Sequence, residues 1–236
     1  DDNLMMTTLA IQKNMSHVIA RGKSLGMPYR RLGKTDWSVS AVGLGCAPLG
    51  DVYGDLPHRD RLDIVQTAFD SGVNIFDTSP FYGESKSESN LGRCLAELAK
   101  DNTEMYQRDQ YYLCSKVGRY AAGKHDYSAK RVQLSIQHSL ERLHTDYLDC
   151  VNIHDFEFVG FYPDNDDGSL PQIWEETLPA LEELKQKGVI GAYGLSGKPL
   201  VCIDYVARQY GYDKLSTILT YNNYNLTDER LNMFMP

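Results

Sequence analysis

From Ala41 onward the chain alternates between short continuous apolar runs and longer stretches in which apolar residues recur every three or four positions. The runs are AVGLGC (41–46), NIFDT (74–78), YYLCSK (111–116), YLDCVNIH (147–154), VIGAYGLS (189–196) and LSTILTY (215–221). Runs without polar alternation suit strands covered on both faces, as in a parallel sheet. The stretches between them predict helices. Over 59–71, Leu62, Val65 and Phe69 share a face, and Gly72 follows the last turn. Leu91, Leu95 and Leu98 line up over 87–99. Val132, Ile136, Leu140 and Leu143 do so over 128–143, behind Ser128 as N-cap. Leu178, Leu181 and Leu184 form a fourth stripe closed by Gly188, with Pro179 near its start, where proline is tolerated. Segments 199–210 and 227–235 predict a fifth helix and the beginning of a sixth.

Regular βα alternation requires a parallel sheet with helical crossovers, either doubly wound or closed as a barrel. The stretch YRRLGKTDWSVS (29–40) reads as a small hairpin punctuated by Gly33 and Asp36, which suits the floor of a barrel. Six βα units are present in the pattern, whereas a closed barrel has eight. The final LNMFMP stops inside a helical pattern, so the fold is expected to be incomplete at its C-terminus. Residues 1–27 read as a disordered extension outside the fold, with the folded unit over 28–236. The polar, turn-rich GFYPDNDDGSLP (160–171) is expected to be an insertion over one rim.

Composition narrows the functional classes. The formal net charge is -8 without a long basic run, which argues against nucleic acid or an anionic membrane surface as a partner. No apolar run has the length of a membrane span. Cys46, Cys94, Cys114, Cys150 and Cys202 are scattered and lack CxxC spacing, so neither a structural zinc site nor a disulfide framework is indicated. Reduced thiols fit a cytoplasmic protein. Oligomeric state is not readable.

Polar residues recur where the apolar runs stop: Asp77 ends the second, Lys116 the third and His154 the fourth. In a βα barrel the strand C-termini ring one face, which carries the active site. Tyr82 follows Asp77 in a loop whose Pro80 and Gly83 supply turn chemistry. Singly, each has a plainer role: a helix-capping aspartate, a packing tyrosine, a solvated lysine, a hydrogen-bonded histidine. Their coincidence on one rim is what points to chemistry. A nearby ammonium lowers a tyrosine pKa, a carboxylate keeps that ammonium charged, and a neutral histidine orients a reacting oxygen. Together they make a proton-transfer device for a carbonyl/alcohol pair, and hydride transfer requires a cofactor. His154 and Asp155 are adjacent rather than spaced as metal ligands, and no metal site is expected. No GxSxG is present, and GLGCAPLG lacks the last glycine of a dinucleotide fingerprint.

With these residues in place, the chain resembles the aldo-keto reductase superfamily. The resemblance is carried by GVNIFDTSPFYGESKSESNLG (72–92), CSKVG (114–118), NIHD (152–155) and LEELKQKGVIGAYGLSG (181–197). It implies an α/β fold, a (β/α)8 TIM barrel of aldo-keto reductase type, here with about six βα units and an N-terminal β-hairpin. It also implies a nicotinamide cofactor, NAD or NADP with NAD favoured, across the C-terminal rim. Family roles then fall on Tyr82 as general acid/base, Asp77 and Lys116 as its tuning pair, and His154 as substrate orienter. Cofactor contacts fall on Gly45, Cys46, Asp77, Ser196, Gly197 and Tyr221. SAVGLGCAPLGDVYG (40–54), SKVGRY (115–120), SLERLHTDYLD (139–149) and HDFEFV (154–159) are most similar to aldose 1-dehydrogenases, those of L-galactose and D-arabinose among them. The substrate implied is a sugar oxidised at C1 to a lactone. An NADPH-dependent carbonyl reductase and a non-catalytic member are the alternatives. The chain departs from the family's GxSN motif, reading Gly194-Leu195-Ser196-Gly197.

Overall fold

In a computed structural model of the chain, residues 13–101, 103–158 and 170–234 are described. The strands begin with the hairpin, β1 (Tyr29–Arg31) antiparallel to β2 (Ser38–Ser40). The strands β3 (Leu44–Gly45), β4 (Ile75–Asp77) and β5 (Tyr112–Val117) follow. A second small hairpin, β6 (Arg119–Ala121) and β7 (Lys124–His125), leads to β8 (Leu148–His154), β9 (Ile190–Gly197) and β10 (Thr217–Thr220). The main sheet has six strands in the order β10-β9-β8-β5-β4-β3, every neighbouring pair parallel. Its crossovers are α2 (His58–Asp70), α3 (Lys86–Lys100), α4 (Ala129–Leu143), α5 (Leu178–Gln186) and α6 (Leu200–Tyr210). This is a curled arc of a (β/α)8-type barrel, with βα units in sequence order from β3.

The register explains the apolar runs. Cys114 pairs with Cys150 and Cys150 with Ala192, and these three form one small buried cluster closed by Trp37. Trp37 stacks on Tyr112 at 4.7 Å, so the hairpin plugs the barrel floor as its sequence suggested. The next row toward the C-terminal ends is Lys116, Asn152, Gly194 and Thr217. His154 and Ser196 are in register above it. Alternate residues face the helices: Phe76 packs on Phe69 of α2 at 4.8 Å, and the Ser115 hydroxyl donates to the buried Glu88 of α3 at 2.6 Å. Residues of β5 and β8 are buried throughout, which is why their sequences carry no polar alternation.

Three expectations need correction. The folded unit begins before residue 28. Ser16–Ser24 form a helix, α1, with Val18 and Met15 buried against the floor. Gln110 anchors it by accepting from the His17 and Val18 N–H groups, and Lys13 donates to Tyr111 O at 2.5 Å and to Asp149. Residues 1–12 lie outside the described residues. Second, the described residues of 227–235 make only a short 3-10 turn, Arg230–Met233. Third, the first strand is confined to Leu44–Gly45. The remaining helices match the periodicity. Ser128 caps α4, its hydroxyl accepting from Arg131 N at 3.3 Å. Pro179 falls in the first turn of α5, which a π-type turn (Ile173–Thr177) precedes. Most of the 160–171 loop lies outside the described residues.

Candidate active site

Asp77 ends β4, and its neighbour Thr78 leaves the sheet with its N–H still donating to Cys114 O at 2.9 Å. The chain then doubles back. Tyr82 N donates to Ser79 O at 3.1 Å, and Gly83 follows at φ 62°. A Cβ on Gly83 would lie 1.9 Å from Gly50 O, so only glycine permits this approach to the loop after β3. Ser87 fixes that approach from below: its hydroxyl donates to Cys46 O at 2.6 Å and pairs with Thr78 Oγ1 at 2.8 Å. The loop thereby returns the phenol of Tyr82 over β5, where the Lys116 Nζ sits 4.7 Å from the ring centroid.

Lys116 is fully buried, and its ammonium is held on three sides. It donates to Asp77 Oδ2 at 2.5 Å, to Thr78 O at 2.9 Å, and toward the Tyr82 hydroxyl. Burial alone depresses a lysine, but here Asp77 and Tyr82 outweigh it and raise the Lys116 pKa. The lysine is a fixed cation. Tyr82 shows a different balance from the one its sequence suggested. Burial raises the phenol pKa, and the opposing pull of Lys116 does not cancel it. His154 is held well below the usual histidine range by burial, then by the Lys116 and Arg119 charges. It is therefore neutral at physiological pH. Its Nδ1 is 3.0 Å from the Ser79 hydroxyl, and its Nε2 is 3.7 Å from an Asp155 carboxylate oxygen, which favours the proton on Nε2. The His154 and Tyr82 rings meet edge to face at 5.6 Å. The four residues Asp77, Tyr82, Lys116 and His154, drawn from three strand ends and one loop, thus converge.

The sequence-derived cofactor residues are arranged on the same rim. Gly45 is in register with Asp77, and a side chain there would meet open space. Asp77 Oδ1 is buried without a hydrogen-bond partner among the described residues, an acceptor awaiting a donor. Ser196 is buried beside His154. Tyr221 donates its N–H to Gly197 O at 3.1 Å, and its exposed ring lies 5.3 Å from Lys198 Nζ. Lys198, Tyr221 and Asn223 border a groove of about 510 Å³ next to this edge. A Cβ on Gly197 would lie 2.9 Å from Glu157 Oε2, so a buried glutamate fills the space that a longer residue would need. Cys46 is a different case. Its side chain is fully buried, its N–H donates to Asp77 O and its carbonyl accepts from Ser87, so it shapes the rim without offering a free polar group. An unsatisfied carboxylate oxygen, a buried serine and a groove bordered by Lys198 on one rim fit a cofactor that presents ribose hydroxyls, an amide and phosphates.

Several residues of the site were not singled out from sequence as site residues. Ser79 orients His154, and Thr78 holds Lys116 through its main chain. Arg119 pairs with Asp155, and its guanidinium lies 3.7 Å from the Phe81 ring centroid and 5.1 Å from that of Phe158. Ser79 and Phe81 lie inside the motif that carried Tyr82, Arg119 follows Lys116 by three positions, and Asp155 follows His154 directly. Proximity to a candidate in sequence was the available signal.

Comparison with known proteins bears on the family. The sequence model of the aldo/keto reductase family matches residues 41–235. The chain is 42% identical to L-galactose dehydrogenase of Arabidopsis thaliana over 207 residues, covering 88% of this chain and 60% of that protein. It is 41% identical to D-arabinose 1-dehydrogenase of Saccharomyces cerevisiae over 200 residues, covering 82% of this chain and 55% of that protein. It thus spans little more than half the length of these relatives. Among solved structures, an aldo-keto reductase of Pseudomonas aeruginosa superposes with a TM-score of 0.62 at 29% identity, over 84% of this chain and 78% of that one. The aldo-keto reductase AKR11C1 of Bacillus halodurans, in its holo form, gives 0.60 at 29% identity, over 82% and 57%. The chain belongs to the aldo/keto reductase family.

Proposed function

We propose that the chain carries the catalytic rim of a nicotinamide-dependent aldose 1-dehydrogenase, which oxidises C1 of an L-galactose- or D-arabinose-like sugar to its lactone. The observation that carries this reading is the buried Asp77–Lys116 pair beneath Tyr82, with neutral His154 across from it. The identities to two aldose dehydrogenases support the substrate class. When bound, the nicotinamide, NAD in preference to NADP, supplies the hydride acceptor. Asp77 Oδ1, Ser196 and the main chain around Gly45 and Gly197 are the groups that would hold its nicotinamide riboside half, and Lys198 contributes positive charge beside the groove.

The chain's own residues handle the proton. Tyr82, as phenolate, takes the proton of the C1 hydroxyl, and the Lys116 ammonium stabilises the negative charge that the phenolate carries before transfer. Asp77 holds that ammonium in place and offsets its burial. His154, proton on Nε2, donates to the same substrate oxygen and fixes which face of C1 is presented. Carbonyl reduction uses the same set with Tyr82 as phenol. Its raised pKa favours that protonated form at neutral pH and makes aldehyde reduction the second reading.

The test is turnover of L-galactose and D-arabinose with NAD and with NADP, with the product identified by NMR, for the wild type and Tyr82→Phe. Loss of the proton shuttle is expected to lower kcat about 100-fold or more, with cofactor affinity unchanged. Absence of aldose turnover in the wild type, or full activity in Tyr82→Phe, would overturn the proposal.

A further inference from the structure

We propose that Arg119 and Asp155 form a hydroxyl-reading subsite beside His154, which selects polyhydroxylated substrates over simple aldehydes. The inference rests on the dehydrogenase reading above and deepens it.

Four observations carry it. First, the pair sits on the reacting centre: Asp155 Oδ2 is 3.7 Å from His154 Nε2, and the Phe81 ring that supports Arg119 meets the His154 ring at 5.7 Å. Second, the pair is largely withdrawn from water, with side-chain exposures of 17% for Arg119 and 9% for Asp155. A desolvated ion pair gives little net stability compared with an apolar replacement, so its presence beside His154 calls for another role. Third, Arg119 Nε is buried without a hydrogen-bond partner among the described residues. Such an orphaned donor is unfavourable unless something arrives to accept from it. Fourth, Asp155 holds a left-handed backbone, φ 49°, uncommon for a residue other than glycine and concentrated at ligand-binding positions. Its N–H donates to Ser196 O at 2.8 Å, which locks that conformation to β9.

The chemistry matches a sugar. A hydroxyl both donates and accepts, and vicinal hydroxyls present a donor and an acceptor side by side. Asp155 offers carboxylate oxygens to accept, and Arg119 offers N–H groups from a fork that Phe81 and Phe158 hold flat. An alkyl chain satisfies neither. A pocket for simple aldehydes gains nothing from a charged pair next to its histidine.

The test compares glyceraldehyde with propanal, which have the same carbon count with and without hydroxyls, in nicotinamide-dependent reduction. Two variants are used: Arg119→Lys, which keeps the charge and loses Nε, and the neutral pair Arg119→Gln with Asp155→Asn. The ratio of kcat/KM values, glyceraldehyde over propanal, is expected to fall about tenfold or more in the neutral pair, with a smaller fall in Arg119→Lys. Parallel losses on both substrates, or an unchanged ratio, would show a structural ion pair and overturn the subsite. If the wild type reduces neither aldehyde, the ratio has no value, and the dehydrogenase reading still stands or falls on aldose oxidation. Saturation-transfer NMR with L-galactose then decides the subsite separately. A signal in the wild type that is lost in the neutral pair supports it, and an equal signal, or none in the wild type, overturns it.

Discussion

Tyr82 and His154 have opposite protonation problems, and both are set by burial. For Tyr82, burial raises the pKa further than Lys116 lowers it, so the phenol dominates at neutral pH. Oxidation of an alcohol needs the phenolate. Below a raised pKa the phenolate fraction grows tenfold per pH unit, so log kcat/KM for aldose oxidation is expected to climb with a slope of about one between about pH 7 and 9. Reduction, which uses the phenol, stays flat over the same range. His154 is already neutral there, so no inflection belongs to it near pH 6.5; an acid limb at that pH that vanishes in His154→Gln would contradict this assignment. A second prediction concerns Gly197. Restoring the asparagine of the GxSN pattern, Gly197→Asn, drives a Cβ to 2.9 Å from Glu157 Oε2 and is expected to cost about 1–3 kcal/mol. Glu157→Ala in the same chain is expected to recover part of that loss, which a double-mutant cycle by urea unfolding measures. The four catalytic candidates were legible in sequence because each ionisable one of β4, β5 and β8 interrupts an apolar run, and the tyrosine lies among turn residues. Arg119, Ser79 and Glu157 were not, because their importance comes from partners that the folding of loops brings to them.

At the level of elements, hydrophobic period located the sheet and five of its crossovers, but it passed over α1. The reason is physical. SHVIARGKS has little apolar surface, and what fastens it is polar and distant in sequence: Gln110 on the His17 and Val18 N–H groups. A periodicity argument registers faces and is blind to such anchors. Val18 is fully buried, so Val18→Asp is expected to detach the helix and lower the thermal midpoint by several degrees, about 2–4 kcal/mol of stability. Lys13 behaves otherwise. Burial depresses its pKa to about 8 despite Asp149, whereas an unfolded lysine titrates near 10.4. Between those values the unfolded chain binds more protons than the folded one, so stability attributable to Lys13 rises with pH across that window, and the full penalty stands below it. Lys13→Met is accordingly expected to be neutral or stabilising at pH 7. The difference between wild type and variant in urea midpoint should shrink from pH 7 to pH 10; a variant markedly weaker at pH 7 would sink the argument.

On the scale of the molecule, β3 and β10 each have one side unpaired among the described strands. An exposed parallel edge is a template for further pairing. β10 adds apolar exposure, since Ile218 is 44% exposed, with Tyr221, Tyr224 and Leu226 beyond it. The 236-residue chain expressed alone is expected to self-associate with rising concentration in analytical ultracentrifugation, and Ile218→Lys is expected to reduce that association. The βα alternation left a doubly wound sheet and a barrel open, the floor hairpin leaned toward the barrel, and the motifs shared with the aldo-keto reductases decided between them. The sixth helix was overcalled because 227–235 has helical apolar spacing, yet Asn225 and Asp228 bind the backbone there and favour turns over a continuing helix.

The register places the chemistry on β4, β5, β8 and β9, and each of these strands is flanked on both sides by another. Everything that handles the proton is therefore contained within an internally complete arc, and the exposed seams run through strands that carry none of the four groups. Such an arrangement suits reassembly from two pieces. Mixed with a separately made fragment supplying the remaining portion of a relative such as the Arabidopsis L-galactose dehydrogenase, this chain contributes an acid/base centre that is already assembled, and only cofactor contacts, at Gly45 and beside Tyr221, lie next to the junction.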